Sequence, residues 1–454
     1  MAAMLSFSHD HELLQELAEL VAIPSVSRDG DQAAMRRAAQ WLASRLGFAQ
    51  ARLIETAGNP VVLAELAGPK GAPTILVYGH YDVQPTGDLG EWLSPPFQLT
   101  LDGSTARGRG VSDDKGPVLI ALSVLAAFAA QEGRPPLNVK LLLEGEEEIG
   151  SPHLADFVRD HSAELAADLV VSADGAQWRA SEPSVSVGSK GLVGLDIEVS
   201  GAATDLHSGR YGGTVANPLQ ALVRILASLH GPEGRVAVPG FYDGIPELGA
   251  SRRAEIAGIR FDDAAYLDEL QVSELPGEPG YSTLERLWER PTLEINGVQA
   301  GGKYTVIPHL AVAHLSSRLV PGQDPELVLA AITRHVMSQP APGVRVVVRP
   351  DPGGVRAYTL PQGHPAVAAA VAALQHVYPG EEVLQVKIGG TLPATVLFEE
   401  LLGAKTLFFS FSTADERLHA PNEYLRVRRL GEGMRAWEHL WRQLGSGPYR
   451  LARA

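Results

Sequence analysis

The sequence predicts an α/β fold: an open sheet with helices packed on it, interrupted mid-chain by a smaller α+β domain. Three observations point there. Short apolar runs (Thr74–Tyr78, Leu137–Leu143, Leu169–Ala173) alternate with helical stretches, the pattern of strands buried on both faces. From about Gly191 the texture changes to alternating strands in the order strand-helix-strand-strand-helix-strand, which reads as a small α+β sandwich. At 454 residues the chain is also too long for one ordinary core. The expected division is 1–190 for the first part of the main domain, 191–355 for the inserted domain and 356–454 for the return.

The elements follow in order. Leu13, Leu14, Leu17, Leu20 and Val21 have helical spacing within His9–Ala22, and Pro24 closes that helix. His9 and His11 are expected to be solvated bystanders. A second amphipathic helix spans Asp31–Leu46, with Gly47 expected as its C-cap. Strands Val61–Leu66 and Thr74–Tyr78 are divided by the Gly68-Pro69-Lys70-Gly71 turn. Gly108 to Pro117 must turn tightly before the apolar helix Val118–Ala130, and Asp113 or Asp114 also suits that helix as N-cap. Strand Leu137–Leu143 runs into Glu144–Ser151, and strand Leu169–Ala173 ends at Asp174-Gly175. In the inserted domain, strand Leu192–Val199 and helix Pro218–Leu229 precede a polar, Pro- and Gly-punctuated segment, 231–291. Strands Thr292–Ile295 and Ala311–Leu319, helix Pro325–Met337 and strand Val344–Val348 complete it. The chain returns through helix Pro365–His376, strand Lys405–Phe411 and a closing helix Val427–Leu444. No internal repeat is evident.

Composition narrows the function. Apolar residues make up 45% and charged residues 20%, an ordinary globular mixture. A net charge of −15 without any basic stripe argues against nucleic acid. There is no cysteine, so a metal must sit on His, Asp and Glu. The longest apolar run, Val118–Ala130, is too short to span a bilayer, and Met1–Asp10 lacks a signal-peptide pattern. The expectation is a soluble, cytoplasmic protein with neither nucleic acid nor membrane as partner.

The chemistry concentrates where strands end, since ligands of open α/β sheets collect at the carboxyl ends of strands. His80 and Asp82 close the run that begins at Thr74. Asp113, Glu147 and Glu148, Asp174 and His419 follow at further junctions. Such crowding of carboxylates is costly unless a cation neutralises it. His80, Asp113, Glu148, Asp174 and His419 together suit two divalent ions of zinc or manganese type that share one carboxylate. Asp82 can point the same way as His80 and fix that ring or its metal through a hydrogen bond. Glu147, beside a ligand, is free to act as general base on a metal-activated water.

These residues sit in motifs: Gly-His-Tyr-Asp-Val-Gln-Pro at 79–85, Gly-Arg-Gly-x-x-Asp-Asp-Lys-Gly-Pro at 108–117 and Glu-Gly-x-Glu-Glu-x-Gly-Ser at 144–151. Asp-Leu-His-Ser-Gly at 205–209 and His-x-Pro-Asn-Glu at 419–423 complete the set. Over nearly its whole length the chain resembles the co-catalytic di-zinc peptidases that include carnosinase and the cytosolic non-specific dipeptidases, relatives of aminoacylase and glutamate carboxypeptidase. The resemblance implies a mixed-sheet catalytic domain with an inserted ferredoxin-like lid and dimerisation domain. It implies that His80 and Asp174 bind one metal and Glu148 and His419 the other, with Asp113 bridging, Asp82 orienting His80 and Glu147 as base. It also implies a homodimer, in which His207 reaches into the partner's site to stabilise the oxyanion. Arg318 resembles the arginine that holds the substrate carboxylate, with Thr391 and Gly390 at the same end. Thr391 stands where the family pattern leads one to expect serine. A cis peptide is implied after Asp113. The activity implied is metal-dependent hydrolysis of dipeptides or short peptides; the alternative is an N-acyl-amino-acid deacylase using the same metals. Tyr-Asp-Val-Gln-Pro and the 231–291 insertion resemble the dipeptidase branch. A serine hydrolase is disfavoured, because His207-Ser208-Gly209 lacks the Gly-x-Ser-x-Gly elbow.

Overall fold

The computed structural model describes residues 4–7, 10–302, 304–447, 449 and 451. The chain divides into two compact units. One runs to Gly188 and resumes over Leu360–Ile388 and from Pro393; the other comprises Ser189–Thr359 and Gly389–Leu392.

The first unit is built on a mixed sheet in which Arg52–Ile54, Val61–Leu66, Asn138–Glu144, Thr74–His80, Leu169–Ser172, Thr406–Phe408 and Ser184–Ser189 are successive neighbours. The central strand, Thr74–His80, is buried from Ile75 onward and runs parallel to both of its neighbours, as an unbroken apolar run should. Register then positions the chemistry. His80 lies opposite Glu144 and Tyr78 opposite Ser172, so the segments carrying His80, Glu147, Glu148 and Asp174 all leave the sheet at one edge.

Helix Lys115–Gln131 is apolar almost all round and buries residues from Lys115 to Phe128, as a helix covered on several sides must. The closing helix, Arg428–Gly445, instead buries a stripe that includes Met434, Trp437, Leu440, Trp441 and Leu444. The two approach closely at Gly433, where a Cβ would lie 2.9 Å from Ile120 Cγ2.

Several local expectations shift. The first helix is Asp10–Val21; His9 lies outside the described residues, and His11 is exposed. Helix Gln32–Arg45 is N-capped by Asp31, whose carboxylate accepts from Ala34 N at 3.0 Å. It does not end on a left-handed Gly47: Leu46 is the C-cap, and Gly47 N bonds Ser44 O in a tighter last turn. The strand expected over Lys405–Phe411 shortens to Thr406–Phe408. The hairpin Thr100–Asp102/Thr105–Arg107, joined by Tyr424–Arg426, and the strand Leu384–Ile388 were not legible. Their runs are too short to show periodicity.

The second unit has the antiparallel order Thr292–Ala300, Leu310–Leu319, Gly191–Ser200, Arg345–Pro350. The last strand thus lies beside the first, as in ferredoxin-like folds. Gly191–Ser200 and Leu310–Leu319 alternate buried and half-buried positions, and Leu195, Ile197, Val199, Leu222, Ile225 and Ile332 form its core. Segment 231–291 contains helices Ala250–Gly258, Asp263–Leu270 and Thr283–Glu289, the last opened by a Ser282–Glu285 capping box. No helix among the described residues is long and apolar enough to cross a membrane.

Candidate metal centre

Seven side chains converge at the carboxyl edge of the first unit's sheet. His80 is fully buried; its Nε2 lies 3.1 Å from Asp113 Oδ1, and its Nδ1 lies 3.1 Å from the Asp82 carbonyl and 3.3 Å from Asp82 Oδ1. Asp82 does more than orient this ring. Its Oδ1 accepts from Glu147 N at 3.2 Å and its Oδ2 from Glu148 N at 3.1 Å, pinning the single helical turn that carries both glutamates. On the other side, His419 Nε2 lies 2.9 Å from Asp113 Oδ2 and 3.2 Å from Glu148 Oε2. His419 reaches this position from a left-handed backbone, φ 63°.

Two groups of potential ligands result: His80, Glu147 and Asp174, and Asp113, Glu148 and His419, with the ligand atoms of each group within 4.8 Å of one another. Asp113 touches both, presenting one oxygen to each histidine. The peptide between Asp113 and Asp114 is cis, as the resemblance implies. Asp114 occupies the N-cap position of the following helix, although its side chain makes no capping bond; Oδ2 accepts instead from His80 N at 3.2 Å.

The electrostatics fit a cation. Burial raises the pKa of Glu147, reinforced by Asp174 and Glu148. Burial and the charge of Asp113 push Glu148 up to about 8 and Asp174 up to about 6. Burial opposes protonation of His80, yet hydrogen bonds to Asp113 and Asp82 hold its pKa well above the usual value. The hydrogen bond to Asp113 raises His419 to about 9. Buried carboxylates that compete for protons, with histidines between them, form a donor set of the kind that binds divalent metal.

One residue that the sequence reading passed over supports the whole arrangement. Glu423 is fully buried. Its Oε2 accepts from Arg109 Nη1 and Gly110 N, both at 2.9 Å, and its Oε1 from Ser112 N at 2.9 Å and Asp113 N at 3.1 Å. It therefore fixes the loop that delivers Asp113. Gln84 similarly donates to Glu148 Oε2 at 2.9 Å. Glu423 belongs to the 419–423 motif, which was the available signal. Replacing Glu423 with Gln leaves an amide nitrogen facing donors, so a stability loss of about 3–5 kcal/mol is expected. A lower thermal midpoint together with weaker metal retention would show it; an unchanged melt would exclude it.

The remaining candidates lie on the second unit. Arg318 Nη1 donates to Thr391 Oγ1 at 2.9 Å, and the Gly390 carbonyl accepts from Lys190 N at 3.0 Å. Arg318 is half-buried, burial lowers its pKa, and among the described residues no carboxylate pairs with it. His207 is exposed, on a short ladder opposite Val306. Its Nδ1 accepts from Gly209 N at 3.1 Å, which leaves the proton on Nε2.

Paired clusters of histidine and buried carboxylate at the carboxyl edge of a mixed sheet define a metal-dependent hydrolase. The family described as Peptidase family M20/M25/M40 matches residues 76–443, and the chain belongs to it; it is a metallopeptidase. It is 31% identical over 391 residues to the Beta-Ala-His dipeptidase of Homo sapiens, covering 82% of this chain and 75% of the relative. Against the Cys-Gly metallodipeptidase of Schizosaccharomyces pombe, identity is 29% over 449 residues, with 93% of this chain and 94% of the relative covered. The solved M20 family metallo-carboxypeptidase of Sulfolobus solfataricus superposes with a TM-score of 0.84 at 30% identity, covering 96% of this chain and 99% of that one. The family resemblance carried by the sequence motifs is borne out.

Proposed function

We propose that the enzyme hydrolyses the peptide bond of dipeptides or short peptides, using two divalent cations of zinc or manganese type. The observation that carries this is Asp113, with one oxygen toward His80 and the other toward His419. His80 and Asp174 would hold one cation and Glu148 and His419 the other, with Asp113 available to both. When bound, such a pair lowers the pKa of a water and polarises a carbonyl. Glu147 takes the proton of the attacking water at a carboxylate oxygen and returns it to the leaving amine. Its backbone is held for this by Asp82.

Arg318, bonded to Thr391 and with Gly390 lining the same end, holds the substrate's terminal carboxylate; its lack of an acidic partner among the described residues supports this role. His207 acts across a homodimer interface, offering Nε2–H to the oxyanion of the partner's site. The cysteine-free, acidic composition agrees with a cytoplasmic enzyme.

The test is an assay of enzyme stripped with chelator, reloaded with zinc or manganese, and offered a dipeptide beside its N-acetylated analogue. Cleavage of the free dipeptide is expected. Cleavage of the acetylated compound alone would identify a deacylase instead.

A further inference from the structure

We propose that the second unit carries an additional binding pocket, for a carboxylate borne on an apolar body of amino-acid to dipeptide size. A cavity of about 470 Å³ lies among the 231–291 segment, Lys190 and the start of strand Thr292–Ala300. That volume falls within the range of small-molecule sites, which combine apolar walls with a few polar anchors. Tyr242, Tyr266, Leu270 and Leu287 contribute apolar surface.

The charged residues of the lining are not equivalent. Arg290 is committed: its Nε and Nη2 donate to Glu278 at 2.6 and 2.8 Å, and its guanidinium lies over Tyr242 and Tyr281. Glu278 is thereby neutralised, and Glu294 is exposed on the edge strand. Arg286 is different. It donates to the Leu275 carbonyl at 2.9 Å and to Thr283 Oγ1 at 3.3 Å, and no carboxylate among the described residues pairs with it. Lys190, only 4% exposed, donates to the Arg290 carbonyl at 2.7 Å. The lining therefore holds more cation than anion within a largely apolar cavity, and a half-buried guanidinium is best satisfied by a carboxylate.

The pocket is separate from the Arg318–Thr391 pair but shares supports with it. Lys190 bonds the Gly390 carbonyl through its amide, and Thr292, in the lining, is the register partner of Arg318 on the neighbouring strand. Occupancy is therefore expected to change KM for the dipeptide more than kcat. That consequence rests on the role proposed for Arg318; the binding itself does not.

The test uses isothermal titration of phenylpropionate, which has no amide bond to cleave, into the metal-loaded full chain. Arg318→Ala is expected to keep one bound molecule per chain. Adding Arg286→Gln, or Leu270→Trp to fill the cavity, weakens that binding at least about tenfold. Leu270→Trp leaves the charges in place, and its thermal midpoint checks the fold. No binding to Arg318→Ala, or binding indifferent to both second substitutions, would overturn the pocket. An unchanged KM in Arg318→Ala would overturn the carboxylate anchor instead, and leave the pocket standing.

Discussion

Glu147→Gln is expected to lower kcat by about 10²–10⁴-fold, the range that positioned proton transfer supplies, with KM little changed and both cations retained. Glu147 opens the turn Glu147–Ile149, its amide is held by Asp82, and its carboxylate lies in one group with His80 and Asp174. That proximity gives two possible roles, ligand or base, and the variant separates them. A base can be replaced by its amide without loss of metal; a ligand cannot. If Glu147→Gln loses a cation along with turnover, Glu147 belongs to the coordination sphere and the proton carrier is another group. The same variant tests the dimer. Mixed with inactive His207→Ala, it should regain turnover that neither shows alone, because one of the two sites in a mixed dimer has both residues intact.

Asp113→Ala should abolish turnover and weaken both cations by more than about 100-fold, beyond what loss of a merely supporting residue costs. His419→Ala should weaken chiefly one. The difference follows from geometry: Asp113 alone reaches both histidines, through separate oxygens. Its backbone bond to Glu423 does not depend on the side chain, so the loop should persist. Metal content measured by elemental analysis on folded protein decides the matter. Loss of a single cation in Asp113→Ala would mean that the residue is terminal and not shared.

The convergence of these side chains at one edge was legible because the sheet is simple. Parallel strands begin and end together, so an acid or histidine just past an apolar run is delivered to a common edge, as His80, Glu148 and Asp174 are. The inserted unit was legible for a related reason: two long strands alternate in burial with period two, and two helices carry strong start signals at Asn217-Pro218 and Asp324-Pro325. What escaped depends on contacts between distant segments. Glu423 supports Asp113 across 310 positions of sequence; the 419–423 motif marks the residue, but its task exists only once those distant segments have met. Asp82 read as a partner for one ring, whereas its second task, holding the Glu147 and Glu148 amides, exists only after the strands have paired. Gly47 shows the opposite error: a glycine after a helix suggested a left-handed cap, but the last turn tightened onto Ser44 instead.

The most direct test of the two-metal reading is a titration of the chelator-stripped wild-type enzyme with zinc, following bound metal and dipeptide turnover in the same sample. Binding that saturates at two cations per chain, with turnover absent from the stripped enzyme and complete only as the second cation fills, is the expected result. Turnover in the stripped enzyme, or full turnover at one cation per chain, would contradict it.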